Sequence, residues 1–317
     1  IGALSDALCR ALVLRQVDNR SYLQALAALD GGSPCAAICA NWGGSGTFQR
    51  GLFGASEMIT DGFQHLVQAG VIARPVYDDI ALMRRDRDGT TGPGDREHLR
   101  REGNILQAAF FLGSRDFHDW LLELPEALGN AIGMMRVSRI NQFYGGSETL
   151  EKLQRRDARF FNTTMMMTAL GAATSDGLAD GGVVSGVGGQ YNFIAMAHAL
   201  DDGRSILMLR STRHSGGRVR SNILWEYGHT TIPRHLRDIV VTEYGVADLR
   251  GRSDEDCIKA MLSITDARFQ DDLIARAMTA GKLSTDFRPP DAWLQNRPDV
   301  IARRLAPFRN PHHLPDY

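Results

Sequence analysis

The sequence is poor in lysine and cysteine and has no long apolar run, and each shortage excludes something. No stretch approaches the ~20 consecutive apolar residues of a membrane-spanning helix, and no signal-peptide pattern is visible. The net charge of −1 leaves no global basic field for nucleic acid or a membrane surface. Four cysteines occur in 317 residues: Cys9, Cys35, Cys39 and Cys257. The one close pair, Cys35-x-x-x-Cys39, has no nearby histidine to complete a zinc site, so reduced thiols in a cytoplasmic protein are expected. His198, His214, His229 and His235 show no metal-ligand spacing either, and no metal is expected. With 3 lysines against 33 arginines, an arginine alone points weakly to any site.

The remaining composition is that of a globular protein. Hydrophobic residues make up 43% of the chain, enough for one large or two small domains with a core. Apolar residues recur at helical spacing over 3–16 and 22–29. Short runs at 36–40, 71–73, 134–140, 205–209, 219–225 and 238–242 read as strands. Helices are expected over 115–124, 254–264 and 268–280. The charged, glycine-rich segment 84–104 reads as a solvated insertion loop, 210–217 as a polar loop, and 281–317 as an extended tail. Strands alternating with helices predict an α/β fold with a mixed, largely parallel sheet flanked by helices. The opening Ile1-Gly2 runs directly into an apolar helical pattern, as expected of a fragment cut inside a glycine turn.

Two segments carry candidate chemistry. Ser185-Gly-Val-Gly-Gly-Gln-Tyr-Asn-Phe193 has Gly186, Gly188 and Gly189 between Val183-Val184 and an apolar run from Phe193 to Leu200. Strand, glycine turn and helix in that order bring backbone N–H groups and a helix N-terminus toward an anion or developing oxyanion. The same order also makes a plain tight turn, and it lacks the third glycine of G-x-G-x-x-G. The second segment is Ser56-Glu57-Met-Ile-Thr-Asp-Gly62. Ser56 is expected to cap a helix ending near Gly70, with Glu57 in its first turn, where the dipole favours a carboxylate. A glutamate there commonly does no more than decorate a helix start.

Taken together, Gly186-Val-Gly-Gly-Gln-Tyr-Asn-Phe, Arg210-Ser-Thr-Arg and Val241-Thr-Glu-Tyr-Gly-Val-Ala-Asp-Leu-Arg-Gly-Arg-Ser253 resemble, in order and spacing, the C-terminal half of the acetyl-CoA hydrolase/transferase family, which includes acetate and 4-hydroxybutyrate CoA-transferases. Ser56-Glu57-Met-Ile-Thr-Asp-Gly resembles the family's glutamate segment, and Ile1-Gly2 the end of its glycine turn. The resemblance implies a CoA-transferase-like (NagB/RpiA-like) domain over 1–280, paired with an N-terminal half of the same protein, and leaves a homodimer open. It implies acyl-CoA and a small carboxylate as substrates, with no tightly bound cofactor.

It also implies roles. Glu57 is the nucleophile: it attacks the acyl-CoA carbonyl, forming a mixed anhydride and CoA thiolate. The thiolate returns to give a glutamyl-CoA thioester, and an acceptor carboxylate reverses the steps, or water hydrolyses. The Gly188 and Gly189 amides stand near the oxyanion, where one donor is worth about 3 kcal/mol. Ile1 and Gly2, Gly186, Gln190, Arg210 and Arg213 contact substrate or CoA, the arginines through phosphate. Glu243 and Tyr244 end a strand, where they serve either a ligand or the fold. One departure bears on turnover: Thr174-Ser175 stands where many members have Asn-Ser, and that Asn helps to position the glutamate or carbonyl. A non-catalytic CoA-binding module is therefore a competing expectation, and a dinucleotide-dependent oxidoreductase a remote one.

Overall fold

The computed structural model describes residues 2–29 and 35–308. Its first part runs α1 (Ala3–Val17), α2 (Asn19–Leu29), α3 (Cys35–Trp42), β1 (Gly54–Ile59), α4 (Asp61–Gln68), α5 (Ile80–Arg87), α6 (Pro93–Glu102), β2 (Leu106–Phe111), α7 (Arg115–Leu122), α8 (Glu126–Asn130), β3 (Ile132–Met134), α9 (Val137–Ile140) and α10 (Glu148–Gln154). The second part continues with β4 (Arg159–Thr163), β5 (Met166–Thr168), β6 (Ala173–Thr174), α11 (Gln190–His198), β7 (Arg204–Met208), β8 (Thr212–Ser215), β9 (Arg218–Ser221), β10 (Ile223–Leu224), β11 (Ile239–Thr242), β12 (Gly245–Asp248), α12 (Asp254–Ser263), α13 (Gln270–Thr279) and α14 (Pro298–Leu305).

The expected α/β class holds. One sheet is the parallel trio β1-β2-β3. A second, four-stranded sheet has the order β12-β11-β7-β4, parallel except for β12, and β10-β5-β6 and the β8–β9 pair form two smaller sheets. The first sheet buries Ile59, Leu106 and Ala108 with Phe117 of α7, under Leu12 and Val13 of α1. The second buries Leu207 and Val240 against Ile258, Met261 and Leu262 of α12. Helix α1 touches both. Its Leu4 and Leu8 pack on Ile206, Met208 and Ile239. Its Cys9 meets α4 at Gly62, where a Cβ would lie 2.6 Å from the thiol sulfur, so only glycine allows that approach. No helix among the described residues is long and apolar enough to cross a membrane.

Several local expectations are corrected. Segment 84–104 is not a loop: it lies in α5 and α6. Pro93 opens α6, Asp95 caps it through Gly92 N–H and forks with Arg85 at 2.7 and 2.9 Å, and Leu99 joins Leu82 and Met83 in a core patch. Its charges pair with each other while its few apolar residues face inward. Residues 36–40 are helical in α3, as their alanines favour. The run 134–140 splits into the end of β3 and the short helix α9. Val183 forms a single bridge with Gly177 rather than a strand. Segment 210–217 is largely one arm of the β8–β9 hairpin. Within the expected tail, Leu283 reaches the main core, and α14 packs on α2.

The second sheet is clamped by a buried ion network. Arg204, 1% exposed, lies 2.5 Å from Asp238 and 2.7 Å from Asp248, with its guanidinium carbon 3.9 Å from the centre of the Trp42 ring. Arg250 adds a second bond to Asp238 at 2.6 Å. Such a network stabilises only while complete, because losing one member leaves desolvated charge behind. Arg204→Ala is expected to cost about 3–5 kcal/mol, read as a lower urea midpoint, whereas Arg85→Ala at the exposed pair is expected to leave that midpoint nearly unchanged.

Candidate functional site

Glu57 lies on β1, not on the first turn of a helix. The helical spacing that suggested otherwise belongs to α4, which begins at Asp61 with Thr60 as its cap residue. Met58 and Ile59, counted with that helix, instead pair with Phe110 and Phe111 of β2. The helix N-terminus that Glu57 meets is that of α11. Gly189 is its cap residue, and an added Cβ there would collide with Glu57 Oε1 and lie 2.9 Å from the carboxyl carbon. A Cβ on Gly188, whose φ is +50°, would stand 3.7 Å from Glu57 Oε2. Glu57, Gly188 and Gly189 are thus brought together, with the carboxylate where the α11 dipole favours negative charge.

A third group completes the cluster and was missed in the sequence. Asn141 Nδ2 donates a hydrogen bond to Glu57 Oε1 across 84 positions of chain. Asn141 is the C-cap of α9 and is 8% exposed. Its Oδ1 is buried without a partner among the described residues. The short helix is held from outside: Arg139 pairs with Asp78 at 3.0 Å, and Arg155 donates to the Arg139 carbonyl at 2.7 Å. The only signal in the sequence was an asparagine closing an apolar run.

The other candidates fare differently. Ile1 lies outside the described residues. Gly2 opens α1, and a Cβ added to it would meet nothing within 4 Å. Gly186 is exposed and equally open. Gln190 is buried, and its Nε2 donates to the Thr163 carbonyl at 2.8 Å, pinning α11 to the end of β4 rather than facing a ligand. Arg213 donates from Nη1 to Ser221 O and Asn222 Oδ1, both at 2.7 Å. Arg210 is exposed. Thr174 is buried, with its hydroxyl on the His229 carbonyl at 2.5 Å.

The ends of β7 and β11 carry a second polar cluster. Glu243 accepts from Ser211 N–H at 2.8 Å. Tyr244 is buried and donates to Asp266 at 2.8 Å, so its place is in the fold. Burial pushes the Tyr244 hydroxyl well above its usual range, reinforced by the Asp266 carboxylate. Burial also pushes the Asp266 carboxyl up, but the hydrogen bonds from Arg268 and Tyr244 outweigh it and leave it below the ordinary carboxylate range.

Known proteins can now be compared with this arrangement. A model of the acetyl-CoA hydrolase/transferase C-terminal domain matches residues 113–277. The chain belongs to that family. It is 28% identical over 222 residues to 4-hydroxybutyrate coenzyme A transferase of Clostridium kluyveri, covering 69% of this chain and 43% of that protein. It is 28% identical over 233 residues to butyryl-CoA:acetate CoA-transferase of Anaerostipes caccae, covering 71% and 44%. RipA from Yersinia pestis shares the fold at a TM-score of 0.55 and 23% identity, over 78% of this chain and 47% of that one. The chain therefore spans less than half the length of these proteins. Gly188, Gly189 and Asn141 fall inside the matched domain, and Glu57 lies ahead of it.

Two outcomes follow from this geometry. Gly189→Ala is expected to cost about 1–3 kcal/mol by overpacking. Part of that cost should vanish in a Glu57→Ala background, measured as a double-mutant cycle of denaturant midpoints; the Asn141 amide, 2.6 Å from the added Cβ, keeps the remainder. Separately, a carboxyl held below its unfolded value contributes stability that is present above about pH 4 and lost as the pH falls through its folded value. Asp266→Asn should therefore lower the urea midpoint at neutral pH, and the gap to the parent should close on acidification.

Proposed function

We propose that the chain is the glutamate-bearing half of a CoA-transferase or acyl-CoA hydrolase, and that Glu57 is its nucleophile. The observation that carries this reading is the packing of the Glu57 carboxylate between the Asn141 amide and the Gly188–Gly189 turn. Glu57 would attack the thioester carbonyl carbon, the C–S bond would break, and CoA would leave as thiolate. The thiolate would then attack the Glu57 carbonyl of the mixed anhydride and release the first carboxylate product, leaving a glutamyl-CoA thioester. An acceptor carboxylate would run the same steps backward, and water would hydrolyse the thioester instead. Which prevails depends on how far the closed site excludes water.

Each neighbour has a part in this scheme. The Gly188–Gly189 amides and the α11 N-terminus favour a tetrahedral oxyanion. Asn141 orients the attacking carboxylate. The alternative of a binding module without turnover was motivated by Thr174. That position bonds elsewhere and does not touch Glu57, whereas Asn141 supplies a side-chain amide at the glutamate. The dinucleotide reading finds a carboxylate against the glycine turn, where a pyrophosphate would be repelled. Residues 1–280 act here as the C-terminal domain, with the acyl-CoA cleft completed by an N-terminal half.

The test uses the full-length protein incubated with acetyl-CoA, trapped with hydroxylamine, and mapped by peptide mass. A mass change on the Glu57 peptide, dependent on acetyl-CoA and absent in Glu57→Ala, is expected. Binding of acetyl-CoA with no change on that peptide would remove Glu57 as nucleophile. Asn141→Ala should lower the trapping rate by about 10²–10³-fold, the loss typical of one preorganised donor.

A further inference from the structure

Two exposed arginines on the β8–β9 hairpin meet no carboxylate among the described residues. Several arginines elsewhere sit against a carboxylate: Arg139 with Asp78, Arg204 with Asp238, Arg268 with Asp266. In the hairpin, Arg213 stands directly across from Arg220, and Ser215 across from Arg218. Paired positions share a face and alternate residues return to it, so Arg213, Arg218 and Arg220 lie on one side. Like charges directly opposite destabilise a strand pair. Arg213 turns to two neutral acceptors at the hairpin base. Arg218 and Arg220 are exposed and, among the described residues, meet no carboxylate. The turn between the strands is built by Gly216 and Gly217 at φ 59° and 70°, the conformation of a tight hairpin turn rather than a slack loop. The charge is therefore displayed on an ordered surface.

Its position relates it to the site. Strand β7 leads into the hairpin, and its Met208 aligns with Thr163 of β4. The Thr163 carbonyl holds Gln190, the residue directly after the Gly188–Gly189 turn. Ser211, at the hairpin root, donates to Glu243 on the neighbouring strand end. The hairpin thus springs from the strand ends that anchor the glycine turn. Four strand steps carry its tip about 13 Å beyond its root, which suits a ligand whose reactive end and charged end are separated by a long arm.

We infer that Arg218 and Arg220 form a subsite for the phosphate groups at the nucleotide end of the CoA thioester. This rests on the reading of a CoA thioester as substrate. It moves the phosphate contact from Arg213, whose Nη1 is held within the hairpin, to the two arginines exposed beside it. Guanidinium forks bind phosphate through paired N–H donors, and an incoming polyanion would offset the repulsion between Arg213 and Arg220.

The test compares full-length protein with its Arg218→Gln/Arg220→Gln variant by calorimetric titration, which needs no turnover. The ligands are CoA, dephospho-CoA, 3′,5′-ADP and acetyl-pantetheine, which lacks the phosphates. The double variant should bind CoA and 3′,5′-ADP at least about tenfold more weakly, with acetyl-pantetheine unchanged. The parent's CoA affinity should fall more steeply with salt than the variant's. Dephospho-CoA separates the sources: an unchanged penalty assigns the arginines to the diphosphate, and a lost penalty assigns them to the 3′-phosphate, both within the inference. Equal losses for acetyl-pantetheine, or none for CoA, would overturn it. So would arginine-dependent binding of a short RNA with CoA affinity untouched. If no adduct forms on Glu57 but CoA binding still depends on the arginines, the subsite stands and the nucleophile assignment fails.

Discussion

The approach of the Glu57 carboxylate to the Gly189 backbone is the constraint on which the site depends. The two residues belong to different layers, β1 of the first sheet and the α11 cap of the second. At that distance no side chain fits between them, so their separation must hold to a fraction of a methyl group. A carboxylate and a helix N-terminus attract, but attraction alone does not set a distance that small. Helix α1 supplies the geometry, because it packs on both layers and closes to contact with α4 at Gly62. The spacing of Glu57 and the glycine turn is therefore a property of the core packing.

The second sheet uses a different means. Its strands are short, and β12 runs against the others. The Arg204–Asp238–Asp248 network joins β7, β12 and the approach to β11, and Trp42 of α3 caps the guanidinium. Paired buried charges resist register shifts more than a smooth apolar face does, since a shift by one residue would leave several of them unpaired. The Gly188–Gly189 turn hangs from this sheet through Gln190 and the Thr163 carbonyl. A rigid anchor behind a short glycine turn keeps backbone groups oriented without bulky side chains beside Glu57.

Much of this was legible in the residues. The parallel α/β class, Glu57 and the Gly188–Gly189 pair were all named from sequence, and they come together. The element carrying Glu57 was not. Gly54-Ala-Ser-Glu-Met-Ile is short and holds a single β-branched residue, while the helix that follows continues its apolar spacing, so periodicity ran the two together. Segment 84–104 misled for a related reason: its charges look solvated until Arg85 and Asp95 are seen to pair and Leu99 to point inward. Asn141 was out of reach, because its partner lies 84 positions away and no local pattern encodes that contact. For Arg213, residue type could not show that its Nη1 bonds to Ser221 O and Asn222 Oδ1 inside the hairpin.

The glycine at the α1–α4 contact has a further consequence. It presses the Cys9 thiol into the contact, where burial, aided by Asp6, raises its pKa to about 11. A thiol so shielded and so firmly protonated reacts slowly with alkylating reagents as long as the two helices stay in contact, since the thiolate is the reactive form. Any loosening between the layers would expose it and speed labelling. The molecule thus contains its own chemical gauge of whether α1 is seated on α4.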